Sequence, residues 1–125
     1  MEPDRGDALF QSCVDGARER LRLARERALA WNVEAVGQAR AAAHRLRVEF
    51  GAREVILFGS VARGQGRPGS DVDLLVDGVA DERWFDACAA AADEVRCAEV
   101  DMVPRRHARP HVLERALAEG KVLDG

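Results

Sequence analysis

The chain contains no tyrosine and a single lysine, Lys121, and aromatic residues make up only 5% of its 125 positions. A core with so little aromatic bulk has to be assembled from small aliphatic side chains, and alanine carries much of the 47% hydrophobic content. Such a core is thin, so a second copy that completes it, a homo-oligomer, is one expectation. Cysteine is sparse as well. Cys13, Cys88 and Cys97 form no C-x-x-C pair and cannot all be bridged, which excludes a disulfide framework and points to reduced thiols in a cytoplasmic protein. No apolar run approaches the ~20 residues that cross a bilayer, and no basic segment followed by an apolar one opens the chain. No membrane partner and no leader are therefore expected. Positive charge is not in excess: the net charge is −3, which argues against nucleic acid as a direct partner. The cations present are almost all arginine, the side chain suited to planar recognition of phosphate and carboxylate groups.

Against this background one stretch stands out, VILFGSVARGQGRPGSDVDLLV, from Val55 to Val76. Val55-Ile56-Leu57-Phe58 is too short for a helix and rich in β-formers, so it reads as a buried strand. Gly59-Ser60 stops it, a loop rich in Gly and Arg follows, and a second strand opens with Asp71-Val72-Asp73. Residues two apart on a strand share a face, so Asp71 and Asp73 lie side by side while Val72, Leu74 and Val76 turn toward the core. Two carboxylates so placed repel unless a cation lies between them, and hard oxygen ligands suit Mg²⁺. The loop also satisfies G-x-G-x-x-G through Gly64, Gly66 and Gly69, but that motif must open a helix, and here Pro68 and a strand follow.

Periodicity supplies the remaining elements. Residues 1–6 are expected to be frayed, and 7–30 read as a helix with Phe10, Cys13, Ala17, Leu21, Ala24 and Ala28 on one face and Arg18, Arg22 and Arg25 on the solvated one. Asn32 is read as the N-cap of a second helix over 32–50, with Gly51 closing it and Trp31 stapling the junction. Strands are expected at 54–58, 71–76 and 97–103, the last alternating Ala98, Val100 and Met102 against Glu99 and Asp101. Asp81 is expected to cap a helix carrying Trp84, Cys88, Ala91 and Val95. Pro110 is expected to start a last helix that Gly120 ends, before a short edge strand at 121–123. His107 and His111 are four apart, but the intervening Pro110 separates them, and with Arg105, Arg106 and Arg109 they read as a solvated basic cluster. The order α-α-β-β-α-β-α describes an α/β sandwich around a small mixed sheet.

The spacing G-S-x10-D-x-D, carried by Gly59, Ser60, Asp71 and Asp73, resembles the nucleotidyltransferase superfamily typified by DNA polymerase β. Within it, the chain looks like the small bacterial MNT (minimal nucleotidyltransferase) proteins, over roughly residues 50–125. The resemblance implies an α/β (α+β) fold of the polymerase β-like nucleotidyltransferase type, a small mixed sheet flanked by helices. It divides the chain into an N-terminal helical extension, 1–31, and a nucleotidyltransferase domain, 32–125. It implies Asp71, Asp73 and Asp101 as catalytic, metal-binding carboxylates for two Mg²⁺ ions, with Asp101 accepting the proton of the incoming hydroxyl. Gly59 and Ser60 then grip the triphosphate of ATP, and Arg63 is a further phosphate or partner contact. It also implies a partner, a HEPN-family toxin, to which the enzyme transfers AMP as an antitoxin. In that system a tyrosine of the toxin is the acceptor, and a chain without tyrosine fits modification in trans. Two alternatives stand beside this one: a non-catalytic antitoxin that masks the toxin sterically, and a small-molecule (aminoglycoside-like) nucleotidyltransferase completed by a dimer partner.

Overall fold

The structure, a computed structural model, describes residues 5–124. It begins with one long helix, α1 (Arg5–Phe50), where two were expected. No proline or glycine interrupts the Trp31-Asn32 junction, and the alanine- and arginine-rich flanks favour continuation. Asn32 is therefore an interior helical residue and not a cap. Arg5 and Gly6, expected to be frayed, are already helical, while the rest of that call, residues 1–4, lies outside the described residues. Gly51, at φ 71°, ends α1 by turning the amides of Gly51 and Ala52 back onto the Arg47 and Leu46 carbonyls at 3.2 and 3.1 Å.

Beyond α1 come β1 (Glu54–Phe58), β2 (Val72–Asp77), α2 (Trp84–Glu94), β3 (Val100–Pro104), α3 (Pro110–Glu119) and β4 (Lys121–Val122). Asp81 makes no capping hydrogen bond for α2; it starts a short 3-10 turn, Asp81–Arg83, in front of it. A second such turn, Arg105–His107, precedes α3, so His107 and His111 sit on different elements. Two strands start later than expected, β2 one residue after Asp71 and β3 three residues after Cys97.

The strands form one mixed sheet in the order β3-β2-β1-β4. β1 runs antiparallel to β2 and to β4, while β2 and β3 are parallel and joined through α2, the kind of crossover that parallel neighbours require. Strand alternation sends Val55, Leu57, Val72, Leu74 and Val76 to one face, where Ala35, Ala39, Ala42 and Leu46 of α1 and Ala87 and Ala91 of α2 bury them. Ile56, Phe58 and Leu75 go to the other face, packed on Ala116 of α3. Among the described residues no helix is long and apolar enough to cross a membrane, and all three cysteines are free.

Candidate active site

The acidic residues lie on the α3 side of the sheet. In the parallel pairing Asp73 of β2 stands directly opposite Asp101 of β3, and across the antiparallel pair it faces Phe58, the last residue of β1. Asp71 precedes β2 by one residue and is exposed. The next amide, Val72, donates to the Glu99 carbonyl at 2.9 Å and holds this entrance against the start of β3. The three aspartates thus come from the head of one strand and the matching position of its neighbour.

Gly59 closes the site from the β1 side. Its φ of 79° lies in the left-handed region, and a Cβ built there would stand 2.2 Å from Oδ2 of Asp73. Backbone and carboxylate are in contact at a distance that no other residue type permits. After it, Ser60 to Gly64 form a single tight turn: Arg63 N–H reaches the Gly59 carbonyl at 3.2 Å, and Gln65 N–H the Ser60 carbonyl at 2.9 Å. Arg63 leans across to α3, donating to Glu119 at 3.0 Å and to Gln65 Oε1 at 3.3 Å. Arg115, one turn earlier on α3, stands 3.8 Å from the same Glu119.

These neighbours set the protonation of Asp73. Partial burial of its carboxyl, then the negative charges of Asp101 and Asp71, push it from an ordinary 3.8 up to about 6, against the opposing pull of Arg115 and Arg63. A carboxylate raised in this way is a carboxylate short of positive charge. Whether the donors fit Mg²⁺ turns on their number and kind. Among the described residues, no three of His, Cys, Asp and Glu stand together closely enough to hold an ion by themselves. Mg²⁺, however, is commonly held by one or two carboxylates together with water and substrate phosphates, not by an all-protein cage. Paired oxygen donors beside a glycine corner fit an ion that arrives with a triphosphate.

Sequence reasoning missed three residues of this neighbourhood: Arg115, Glu119 and Asn32. The first two look like ordinary polar positions on an amphipathic helix, and no local pattern marks them. Asn32 carried a signal that was misread, since asparagine suits a helix start better than a helix interior. A cleft of about 710 Å³, lined by Glu34, Gln38, Glu94 and Arg96 among others, includes none of the aspartates.

Comparison with known proteins follows the same lines. The profile of the nucleotidyltransferase domain family matches residues 40–123. A solved structure described as a minimal nucleotidyltransferase superposes with a TM-score of 0.56 at 35% identity, over 66% of this chain and 86% of that one. The crystal structure of a mutant MntA–HpeT toxin–antitoxin complex superposes with a TM-score of 0.56 at 25% identity, over 68% of this chain and 70% of that chain. Among curated proteins, a 32-residue stretch is 56% identical to the protein adenylyltransferase MntA of Thermococcus cleftensis. That stretch is 26% of this chain and 32% of the relative, so the similarity spans about a third of the relative's length. The chain belongs to the nucleotidyltransferase domain family. Within it, the chain is of the MNT, or minimal nucleotidyltransferase, type.

Proposed function

We propose that the chain is a Mg²⁺-dependent enzyme that transfers AMP from ATP to a hydroxyl of a partner protein, as the antitoxin of a HEPN-type toxin. The observation that carries this reading is the register of Asp73 against Asp101 with the Gly59 backbone pressed onto Asp73. In this reading Asp71, Asp73 and Asp101 hold the divalent ions, and residues 1–31 form an extension ahead of the transferase domain, 32–125. When bound, the ions neutralise phosphate charge and make the acceptor hydroxyl more acidic. The chain's own groups do the rest. Gly59, which admits the Asp73 carboxylate where a Cβ would stand, turns the backbone toward the triphosphate, Ser60 offers it a hydroxyl and an amide, and Arg63 supplies positive charge next to it. Asp101 takes the proton of the acceptor hydroxyl. The acceptor oxygen forms its bond to the α-phosphorus as the bond from that phosphorus to the bridging oxygen breaks, and pyrophosphate leaves with the electron pair.

Support for a protein acceptor comes from the relatives: one is named a protein adenylyltransferase, and another is part of a toxin–antitoxin complex. The absence of tyrosine from this chain is consistent with an acceptor on another polypeptide. Steric masking has an observation of its own. Leu9, Phe10 and Leu21 on the outer half of α1 are 69%, 70% and 52% exposed, a surface that a toxin could cover without chemistry.

Incubation with labelled ATP, Mg²⁺ and a HEPN-type toxin separates the readings. The wild-type chain is expected to label the toxin, and Asp71→Ala to lower the rate on the order of 10²–10³-fold or more. Full neutralisation without label transfer by the wild type would sink the catalytic reading in favour of masking. Label appearing on an aminoglycoside-like acceptor and not on protein would replace the partner assignment.

A further inference from the structure

Asn32 is out of place by local rules. Asparagine is a poor interior helix former, yet it sits in mid-α1, and among the described residues it is the buried polar side chain, at 8% exposure. Its carboxamide accounts for the exception. Nδ2 donates to the Val61 carbonyl at 3.2 Å, and Oδ1 accepts the Gly66 amide at 2.8 Å. Val61 directly follows Ser60, and Gly66 lies where the chain has passed Arg63 and heads back toward Asp71. One side chain therefore pins both ends of the turn. The fit leaves no slack: a Cβ at Gly66 would stand 2.4 Å from Asn32 Oδ1 and 2.9 Å from both Trp31 and Val61.

We infer that Asn32 is a positioning residue for nucleotide binding, fixing the turn that presents Ser60 and Arg63 to the triphosphate. The inference rests on the nucleotidyltransferase reading above. A segment with glycines at 59, 64, 66 and 69 has many backbone conformations open to it, and ordering them at the moment of binding subtracts from affinity. The carboxamide removes that freedom beforehand, and it does so without bringing a further charge to the turn. It also acts from outside the part of the chain that the family profile covers, which starts at residue 40. The long helix thus contributes to the site as well as to the core.

The test compares three variants of the full chain for direct MgATP binding by calorimetry and for KM against kcat in AMP transfer. Asn32→Ala is expected to weaken MgATP and raise its KM by about tenfold while kcat stays within about twofold. The Gly66 amide is expected to lose its hydrogen-exchange protection in the nucleotide-free protein. Gly66→Ala, which displaces the carboxamide from the loop side and keeps the sequence of α1, is expected to act in the same direction and serves should Asn32→Ala not fold. Ala35→Gly loosens the same helix while keeping the Asn32 carboxamide and both of its partners, and it is expected to keep wild-type affinity. Unchanged affinity in both Asn32→Ala and Gly66→Ala overturns the inference. An equal loss in Ala35→Gly overturns it too, because general loosening of the helix then suffices. A wild-type chain that binds no MgATP removes the nucleotidyltransferase reading itself, an outcome distinct from either of these.

Discussion

On the side of the sheet toward α1 and α2, strand side chains are closed off from water almost completely, whereas toward α3 the apolar cluster is smaller and gives way to Asp73. Val55, Leu57, Val72 and Leu74 on the first face are fully buried. On the second, α3 buries one small residue, Ala116, and the strand position two before Leu75 is the half-buried Asp73. The difference teaches where this fold places its stability and where it accepts a cost. Crowded carboxylates weaken a folded state when no cation is bound, and the densely packed opposite face offsets them.

Substitutions on the two faces should separate those roles. The largest stability effect is expected from Leu57→Ala on the packed face, toward the top of the range of about 2–5 kcal/mol by denaturant titration, with Ile56→Ala on the other face toward its bottom. Equal costs would break the contrast.

Next in size comes Asp73→Asn, which should abolish transfer yet stabilise the fold at neutral pH. In the unfolded chain Asp73 loses its proton near 3.8, and in the folded one near 6. Between those values the folded state holds a proton that the unfolded state has shed, so stability falls as pH rises through this window. Above it the full cost remains, and below it there is none. Thermal melts from pH 3.5 to 8 should therefore show the gain from Asp73→Asn growing toward neutral pH and vanishing near pH 3.5. MgATP should raise the wild-type midpoint and leave that of Asp73→Asn nearly unmoved. A gain that is flat across pH would mean that Asp73 does not carry the cost.

The smallest effect is expected from Arg115→Gln. Burial and the two neighbouring aspartates raise Asp73, and Arg115 opposes them, so its loss should carry the Asp73 titration further up. The acid limb of the pH–rate profile is expected to move alkaline by about a few tenths of a unit, since the guanidinium is largely exposed and screened. A shift toward acid would contradict the geometry.

Much of the face that carries Asp73 was legible in the sequence. A four-residue run of β-formers ending in Gly-Ser, and an alternating strand that carries Asp73 between Val72 and Leu74, are local patterns whose period of two assigns faces by itself. The same locality explains the misreading of α1. Asn32 after a tryptophan looks like a helix start, because capping is a short-range preference, and only its distant hydrogen bonds reverse that. The site's outer residues were illegible for a related reason. Arg115 acts on Asp73, and Glu119 meets Arg63, only because α3 folds back over β1, a contact between segments far apart in sequence.

What the amino-acid sequence alone determined was the set of chemical groups and the parity of each strand: the Gly59 corner, the alternation that turns Asp73 away from Val72 and Leu74, and the apolar residues opposite. Tertiary structure decided which strand lies beside β2 and in what register, and so that Asp101 faces Asp73. It also decided that a helical asparagine would hold a loop 29 and 34 residues away. The division follows from range: propensity and periodicity act within a few residues, whereas register and buried polar pairing emerge only once the whole core has closed.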